Sequence, residues 1–261
     1  MSRIVHYLPE FFLTHHGVVE VIYQIVQAQK KYKKKFLISS SEKKIKKNIT
    51  LSKYRLPIKH IFPKKISIPI FFNLNPKIRK DDVFIIHSGF SLHNFILSRI
   101  LSYHNIKYLM LPHGIYIEKN LKKKFFKYLL KRLFIFFFEK KMLQNAEYVI
   151  CNFDPEKESI IKYFGLPRSK LKIIPYPVIF KKNKLTKKRK NIITSIQRAD
   201  IYHKGTDIGL RAFDKSKSSS KYKYKLALAP FKDDLKKIKE LIEHLNNKNI
   251  KVIPPIYGKA K

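Results

Sequence analysis

Short runs of β-branched and aromatic residues alternate along the chain with longer segments whose apolar residues recur at helical spacing. The runs RIVHYL at 3–8, FLISS at 36–40 and DDVFIIHS at 81–88 have the composition of buried strands. Between residues 18 and 32, by contrast, the apolar positions are three or four apart, as on one face of a helix. Strand and helix patterns in alternation predict an α/β fold built on parallel sheets.

The alternation continues to residue 177 and then begins again. It includes a basic helix over 119–145 and the strand KLKIIPYP, which its prolines end. Residues 181–190, KKNKLTKKRK, have almost no apolar character and indicate a solvated linker. Only about three strands follow, fewer than the five or six of a typical sheet. We therefore predict a first domain at 1–180, a linker at 181–190 and an incomplete second domain at 191–261.

The chain is strongly basic, with a formal net charge of +39 over 261 residues. Such a field attracts nucleic acids and anionic membrane surfaces. Nine of the 57 basic residues are arginines and the rest are lysines, and Ile, Asn, Phe and Tyr are also frequent, a pattern that AT-rich coding produces without a functional cause. We expect no specific nucleic-acid partner, because no nucleic-acid-binding module is recognisable.

Cysteine use and apolar segments bear on the compartment. The single cysteine, Cys151, excludes an internal disulfide and a cysteine-based metal site, which suits a reducing cytoplasm. Residues 1–10 lead straight into a strand pattern without the apolar region of a secretory signal. The longest apolar run, Leu133–Phe138, is too short to cross a bilayer. We expect a cytoplasmic protein, either soluble or peripheral on the inner face of the membrane.

The basic helix at 119–145 has two interpretations. Lysines alternate in it with Phe, Leu and Ile, so it can lie in an anionic membrane interface with its lysines reaching the headgroups. Equally, its apolar stripe can pack on the sheet while the lysines face water. The pattern alone leaves both open.

The segment RADIYHKGTDIGLRAF at 198–213 resembles the R-x(n)-KG-x-D-x-x-x-x-A-F signature that opens the second domain of glycosyltransferase family 4. Three other segments resemble the same family in the same order: GVVEVIYQIVQA at 17–28, LPHGIY at 111–116 and AEYVICN onward at 146–177. The resemblance covers nearly the whole chain. It implies a GT-B fold of two Rossmann-like domains with parallel sheets and a cleft between them.

Carried over to the matching positions, the resemblance assigns the donor diphosphate to Arg198, Lys204 and Gly205. Arg198 follows a strand and Lys204 precedes a helix, so both are expected at the carboxyl edge of a parallel sheet, where ligands of such folds bind. Breaking a sugar–diphosphate bond develops negative charge, which cations and helix N-termini stabilise. The family chemistry implies no obligatory metal and no other cofactor.

Three further positions receive roles from the resemblance. His113, in a Pro-His-Gly turn, matches the catalytic-site histidine that contacts the donor sugar. Gly17 matches a loop near the donor phosphates, although Val18 stands where the family usually has a second glycine. His87 follows the strand DVFII and is expected at the border of the acceptor cleft. The pair at 176–177, Tyr-Pro, replaces the Asn-Gly that the family often has, so that turn should differ.

The Glu-x7-Glu segment that holds the family's donor ribose and sugar has no counterpart. Glu240 and Glu243 have the wrong spacing and are expected to face solvent. The expectation is therefore a C-terminally truncated family member, either acting with a partner chain that supplies the segment or existing as a fragment or truncated product.

Two functions remain open for such a chain. The first is a retaining glycosyltransferase that moves a sugar from a nucleotide-sugar donor to a saccharide or lipid-linked saccharide, in surface polysaccharide or lipopolysaccharide synthesis. The alternative is an inactive homologue that binds a membrane surface or a saccharide.

Overall fold

The computed structural model of the protein describes residues 3–8, 17–29, 35–39, 58–61, 66–69, 78–122, 125–177, 191–230 and 233–256, with only the backbone described at 35–39, 58–61, 66–69 and 125–127. The chain divides into two compact units, Met1–Phe180 and Lys181–Lys261. The linker predicted at 181–190 lies outside the described residues.

The first unit is built on one parallel sheet. Its elements are, in chain order, β1 (Arg3–Tyr7), α1 (Gly17–Gln29), β2 (Lys35–Ser39), β3 (Ile58–Ile61), β4 (Ile66–Pro69), β5 (Val83–His87), α2 (Leu92–Tyr103), β6 (Tyr108–Leu111), α3 (Glu118–Leu121), α4 (Phe125–Phe134), a π-helical segment (Ile135–Glu139), α5 (Lys140–Asn145), β7 (Tyr148–Cys151), α6 (Asp154–Phe164) and β8 (Leu171–Ile173). Six strands pair in the order β2-β1-β5-β6-β7-β8, and all pairs are parallel. β3 and β4 form a separate antiparallel hairpin.

Both faces of this sheet are buried, which is why its strands are continuous apolar runs. Alternate residues such as Phe84 and Ile86 of β5 belong to a large core on one face. The residue between them, Ile85, packs on the other face with Leu111 and Ile150. Because β5 and β6 are central strands covered on both sides, their carboxyl ends are fixed positions from which loops can present functional groups.

The second unit repeats the strand and helix alternation. Its elements are β9 (Ile192–Arg198), α7 (Ile201–Lys204), α8 (Thr206–Lys215), β10 (Lys223–Ala229), α9 (Asp234–Leu245) and β11 (Ile250–Ile253). The three described strands form a parallel sheet in the order β11-β10-β9. Leu210 of α8, Leu226 of β10 and Ile238 of α9 are fully buried in the core of this unit.

The sequence patterns failed to predict one hairpin, and two predicted elements are shorter or divided in the structure. The β3–β4 hairpin was not predicted, and the strand predicted at 170–177 is regular only at Leu171–Ile173. The helix predicted over 119–145 is divided into α3, α4, the π segment and α5. No described helix is long and apolar enough to cross a lipid bilayer.

Candidate functional site

The Pro-His-Gly turn follows β6 at the carboxyl edge of the first sheet. His113 and Gly114 both have left-handed backbone conformations, with φ angles of 60° and 77°. A left-handed φ is uncommon for a residue with a Cβ atom and persists only where the surrounding structure fixes it. Strained backbone of this kind concentrates at functional sites, which makes the turn the first candidate for one.

The loop after β5 is strained in the same way. Ser88 and Phe90 have φ angles of 69° and 53°. A Cβ atom on Gly89, which lies between them, would be 2.2 Å from the hydroxyl oxygen of Tyr116, so a larger residue does not fit without movement. Two neighbouring strands are thus followed by strained loops at the edge where ligands of open parallel sheets bind.

A buried carboxylate holds the His113 turn in place. Glu156, in the first turn of α6, accepts hydrogen bonds from the backbone N–H groups of Gly114 at 2.6 Å and Asn152 at 3.4 Å. Burial raises the pKa of Glu156 to about 7, although both hydrogen bonds favour the ionised form. The carboxylate therefore ties the loop after β6 to the loop after β7.

A second buried carboxylate connects the loops after β5 and β6. Glu139, at the end of the π segment, accepts a hydrogen bond from the N–H of Phe90, and its other oxygen lies against the hydroxyl of Tyr116. Burial raises the pKa of Glu139 to about 7 and that of Tyr116 well above its ordinary value. Each strained loop is therefore backed by a fully buried glutamate.

His113 contacts one residue on each side. Its Nε2 atom lies 2.7 Å from Nδ1 of His87, and its Nδ1 atom lies 2.8 Å from the hydroxyl of Tyr176. His87 is fully buried at the end of β5, whereas Tyr176 is 36% exposed in the loop after β8. Burial raises the pKa of Tyr176 to about 12, so its hydroxyl stays protonated near neutral pH.

In the second unit, Arg198 ends β9 and is held by a buried carboxylate. Its Nη2 atom lies 2.6 Å from Oδ2 of Asp200, and the two side chains are 48% and 1% exposed. Asp200 also accepts a hydrogen bond from the backbone N–H of His203 at 3.1 Å and so caps α7. Burial tends to raise the pKa of Asp200, but the hydrogen bonds from His203 and Arg198 outweigh it and hold that pKa below its ordinary value. Asp200 fixes the guanidinium while half of the Arg198 side chain stays accessible.

Lys204 and Gly205 form the turn between α7 and α8. Gly205 has a φ angle of 59°, a conformation in which a side chain would be strained. Lys204 is exposed, and the buried Thr206 begins α8 and accepts a hydrogen bond from Nε2 of Gln197 at 2.8 Å. This bond ties the start of α8 to β9 next to Arg198. Two cations and the N–H groups at a helix N-terminus therefore share one sheet edge, an arrangement suited to an anion.

Residues 14–180 match the family model of Glycosyltransferase Family 4, which is more than half of the chain. The chain belongs to Glycosyltransferase Family 4. No curated protein sequence matches it.

Solved structures of glycosyltransferases show the fold of this family member. HepE from Anabaena in complex with UDP has a TM-score of 0.64 at 10% identity, covering 97% of this chain and 69% of that one. The structure of trehalose-6-phosphate from E. coli bound with UDP-2-fluoro glucose has a TM-score of 0.60 at 12% identity, covering 99% of this chain and 74% of that one. The lipopolysaccharide outer core galactosyltransferase WaaB in its apo form has a TM-score of 0.58 at 11% identity, covering 98% of this chain and 68% of that one. The predicted α/β fold with parallel sheets is thereby confirmed as GT-B.

The positions predicted from the family signature fall into two groups. In the first unit His87 and His113 are in contact, and in the second unit Arg198 lies at the same sheet edge as the turn of Lys204 and Gly205. Gly17 is the exposed first residue of α1, and a Cβ atom there would meet nothing within 4 Å. The roles assigned to these residues by the family resemblance stay predictions.

Several residues of the candidate site were not found from the sequence. Glu139 is the one acidic residue of the segment 119–145, lying directly after three phenylalanines, and an acid next to such an apolar run indicates a buried carboxylate. Glu156 follows a strand at the start of a helix, which is a usual place for a loop anchor. His6, whose Nδ1 lies 2.9 Å from Nε2 of His87, and Gln29, whose Oε1 lies 3.0 Å from Nε2 of His6, carried no local signal. Their contacts depend on how β1, β5 and α1 pack together.

The described part of the chain contains one thiol and no cluster of metal-ligand side chains. No group of three or more His, Cys, Asp or Glu side chains is arranged there to hold a metal ion. Cys151 is buried, and burial raises the pKa of its thiol to about 12, so it is protonated near neutral pH.

Proposed function

We propose that the protein transfers a sugar from a nucleotide-sugar donor to a saccharide or lipid-linked saccharide. Family membership supports the reaction class. The related folds that hold UDP-2-fluoro glucose and UDP support a nucleotide-sugar donor, and WaaB supports a place in surface polysaccharide or lipopolysaccharide synthesis. The proposal includes retention of the anomeric configuration, no required metal or cofactor, and a location at the cytoplasmic face of the membrane.

The observation that carries this proposal is the strained His113 turn. A histidine held at a left-handed φ by the buried Glu156 costs the fold free energy, and such strain is kept where a side chain must meet a ligand. In the proposed site His113 contacts the donor sugar, and His87 lies on the acceptor side. Gly17 lies near the donor phosphates.

The second unit supplies the charge stabilisation in this proposal. Breaking the sugar–diphosphate bond leaves negative charge on the diphosphate oxygens, and preorganised cations stabilise that charge without reorganising. Arg198 is suited to this role because Asp200 already fixes its guanidinium. Lys204 and the N-terminal N–H groups of α8 add to the same field.

Replacing both Arg198 and Lys204 with alanine is expected to weaken UDP binding about a hundredfold or more, since each charge-assisted hydrogen bond contributes about 1.5–3 kcal/mol and the variant loses two such donors. Isothermal titration calorimetry of the full chain with UDP measures this. Carrying out the titration in EDTA tests at the same time whether binding needs a metal.

The matched control for this experiment is the variant with Arg211→Ala and Lys215→Ala. Both residues are exposed on α8 of the same unit, so the variant loses the same two charges. Its UDP affinity should stay within about twofold of the starting protein, because only the general field changes. Equal weakening in both variants would reject the local roles of Arg198 and Lys204.

We also propose that the first unit contacts an anionic membrane through an exposed face of α4 and the π segment. Five large apolar side chains are 48–69% exposed along these two elements: Leu129, Leu130, Leu133, Phe136 and Phe137. Arg132, Lys140 and Lys141 are exposed beside them. Apolar side chains flanked by cations suit an interface of acyl chains and anionic headgroups, and a lipid-linked acceptor would lie there.

Phe136→Ser together with Phe137→Ser is expected to lower the protein's partition onto vesicles of phosphatidylglycerol and phosphatidylcholine roughly tenfold, because two aromatic side chains no longer enter the interface. Vesicle flotation measures the bound fraction. The control Tyr103→Ser removes an 83% exposed aromatic residue on α2 and should leave flotation unchanged. Flotation that does not differ among the three proteins would reject this membrane-contacting face.

A further inference from the structure

Four hydrogen bonds join three imidazole rings into one chain at the carboxyl edge of the first sheet. Nε2 of His6 lies 3.0 Å from the amide oxygen of Gln29, the last residue of α1. Nδ1 of His6 lies 2.9 Å from Nε2 of His87, and Nδ1 of His87 lies 2.7 Å from Nε2 of His113. The chain ends at Nδ1 of His113, 2.8 Å from the hydroxyl of Tyr176.

The direction of every bond in this chain follows from the Gln29 end. A neutral imidazole has one N–H donor and one acceptor nitrogen, whereas an amide oxygen only accepts. His6 must therefore donate from Nε2 to Gln29 and accept at Nδ1. His87 then donates from Nε2 and accepts at Nδ1, which requires His113 to donate from Nε2.

The two inner rings are neutral near pH 7. His6 and His87 are both fully buried in the fold. Burial lowers the pKa of His6 to about 4 and lowers that of His87 well below its ordinary value, with the neighbouring histidines adding to the second effect. A buried neutral ring next to another can satisfy both of its nitrogens only if all rings donate in the same direction.

We propose that Gln29, His6 and His87 are positioning residues that hold His113 in its Nε2–H tautomer, so that Nδ1 offers a lone pair to a hydroxyl group. In the structure that hydroxyl belongs to Tyr176. During sugar transfer a hydroxyl of the donor sugar takes the place of the Tyr176 hydroxyl on Nδ1. The tautomer follows from the hydrogen-bond geometry and from the burial of the two inner rings, whereas the exchange with a sugar hydroxyl rests on the proposed function.

Nitrogen-15 spectra of the histidine-labelled full chain test the tautomer directly, with His113 assigned through its loss in His113→Gln. We expect the Nε2–H form for His113. Gln29→Leu removes the terminal acceptor and should convert His113 to a mixture of tautomers, while Gln29→Glu keeps an acceptor and should keep the single form. Gln27→Leu, at an exposed position of the same helix, is the matched control and should change nothing.

The Nδ1–H form at His113 would overturn the proposal, as would a spectrum of Gln29→Leu identical to that of the starting protein. A mixture in Gln29→Glu equal to that in Gln29→Leu would also overturn it, because an acceptor at this position would then not be the cause.

Binding of UDP and of UDP-glucose tests the exchange with Tyr176. Gln29→Leu should weaken UDP-glucose about two- to tenfold and leave UDP unchanged, because UDP lacks the transferred sugar. Tyr176→Phe should strengthen UDP-glucose by a similar factor, since no hydroxyl competes for Nδ1. An equal change for both ligands would overturn the exchange. If neither ligand binds to any variant, the proposed function fails while the spectra still decide the tautomer.

Discussion

Replacing Asp82 with alanine is expected to lower the free energy of unfolding of the first unit by about 3–5 kcal/mol. Asp82 precedes β5, and its Oδ1 lies 2.8 Å from Nε of Arg3 at the start of β1, with side-chain exposures of 0% and 7%. The carboxylate also accepts a hydrogen bond from the backbone N–H of Arg79 at 2.9 Å. Alanine leaves a buried guanidinium without this carboxylate, and such a change costs more than the intact pair contributes.

Amide hydrogen exchange in β1 and β5 measures this loss in the first unit separately from the second. Glu147→Ala is the control, because it breaks the Lys107–Glu147 pair, whose side chains are 72% and 43% exposed, and should cost about 0–1 kcal/mol. Adding Arg3→Met to Asp82→Ala should recover part of the loss, since it removes the buried charge. Equal losses in Asp82→Ala and Glu147→Ala would show that burial of the Arg3–Asp82 pair has no special effect.

The strands and most helices could be predicted because a parallel sheet covered on both faces needs uninterrupted apolar segments. The run DDVFIIHS is an example: Phe84, Ile85 and Ile86 are all buried, on alternating faces. The β3–β4 hairpin is short, which leaves little periodicity to detect. The π segment ends at Glu139, which contacts Phe90 and Tyr116 in two different loops, and no local pattern contains that information.

The residues of the candidate site could also be predicted only in part from the sequence. His113, Arg198, Lys204 and Gly205 could be selected because they occur in a recognisable order after strands. His87 was also predicted, at the border of the acceptor cleft, but its contacts with two other histidines and the carboxylates that hold the site residues could not be predicted. His87 lies 81 positions from His6 and 26 from His113, and the three meet only because β1, β5 and β6 are neighbours in the sheet.

Buried carboxylates are a common feature of the two strained loops. Glu156 binds the N–H of Gly114 and Glu139 binds the N–H of Phe90, so each holds a backbone group that a left-handed residue has turned away from regular pairing. For both carboxyl groups burial raises the pKa to about 7. The loops that carry the candidate site are therefore supported by groups that change charge close to neutral pH.

The free energy of unfolding of Glu139→Gln, taken relative to that of the starting protein, is expected to be about 2–3 kcal/mol higher at pH 8 than at pH 5. Burial raises the pKa of Glu139 from 4.5 to about 7 in the folded chain. Between pH 4.5 and about pH 7 the unfolded state has lost this proton while the folded state keeps it. The free energy of unfolding of the starting protein therefore falls as pH rises through this range. Glutamine does not titrate and preserves an acceptor for the N–H of Phe90, so the free energy of unfolding of the variant does not decrease for this reason.

Urea unfolding of both proteins at pH 5 and pH 8 measures the difference, and the buried histidines cancel because both proteins contain them. Glu118→Gln is the control: hydrogen bonds from Lys122, Tyr163 and Lys162 lower the pKa of Glu118 to about 2. The contribution of Glu118 to the free energy of unfolding is complete above the pKa that this carboxyl group has in the unfolded state, so it should not change between pH 5 and pH 8. A stability difference between Glu139→Gln and the starting protein that is the same at both pH values would mean that Glu139 is already ionised at pH 5, and that its contacts with Phe90 and Tyr116 outweigh the cost of burying its charge.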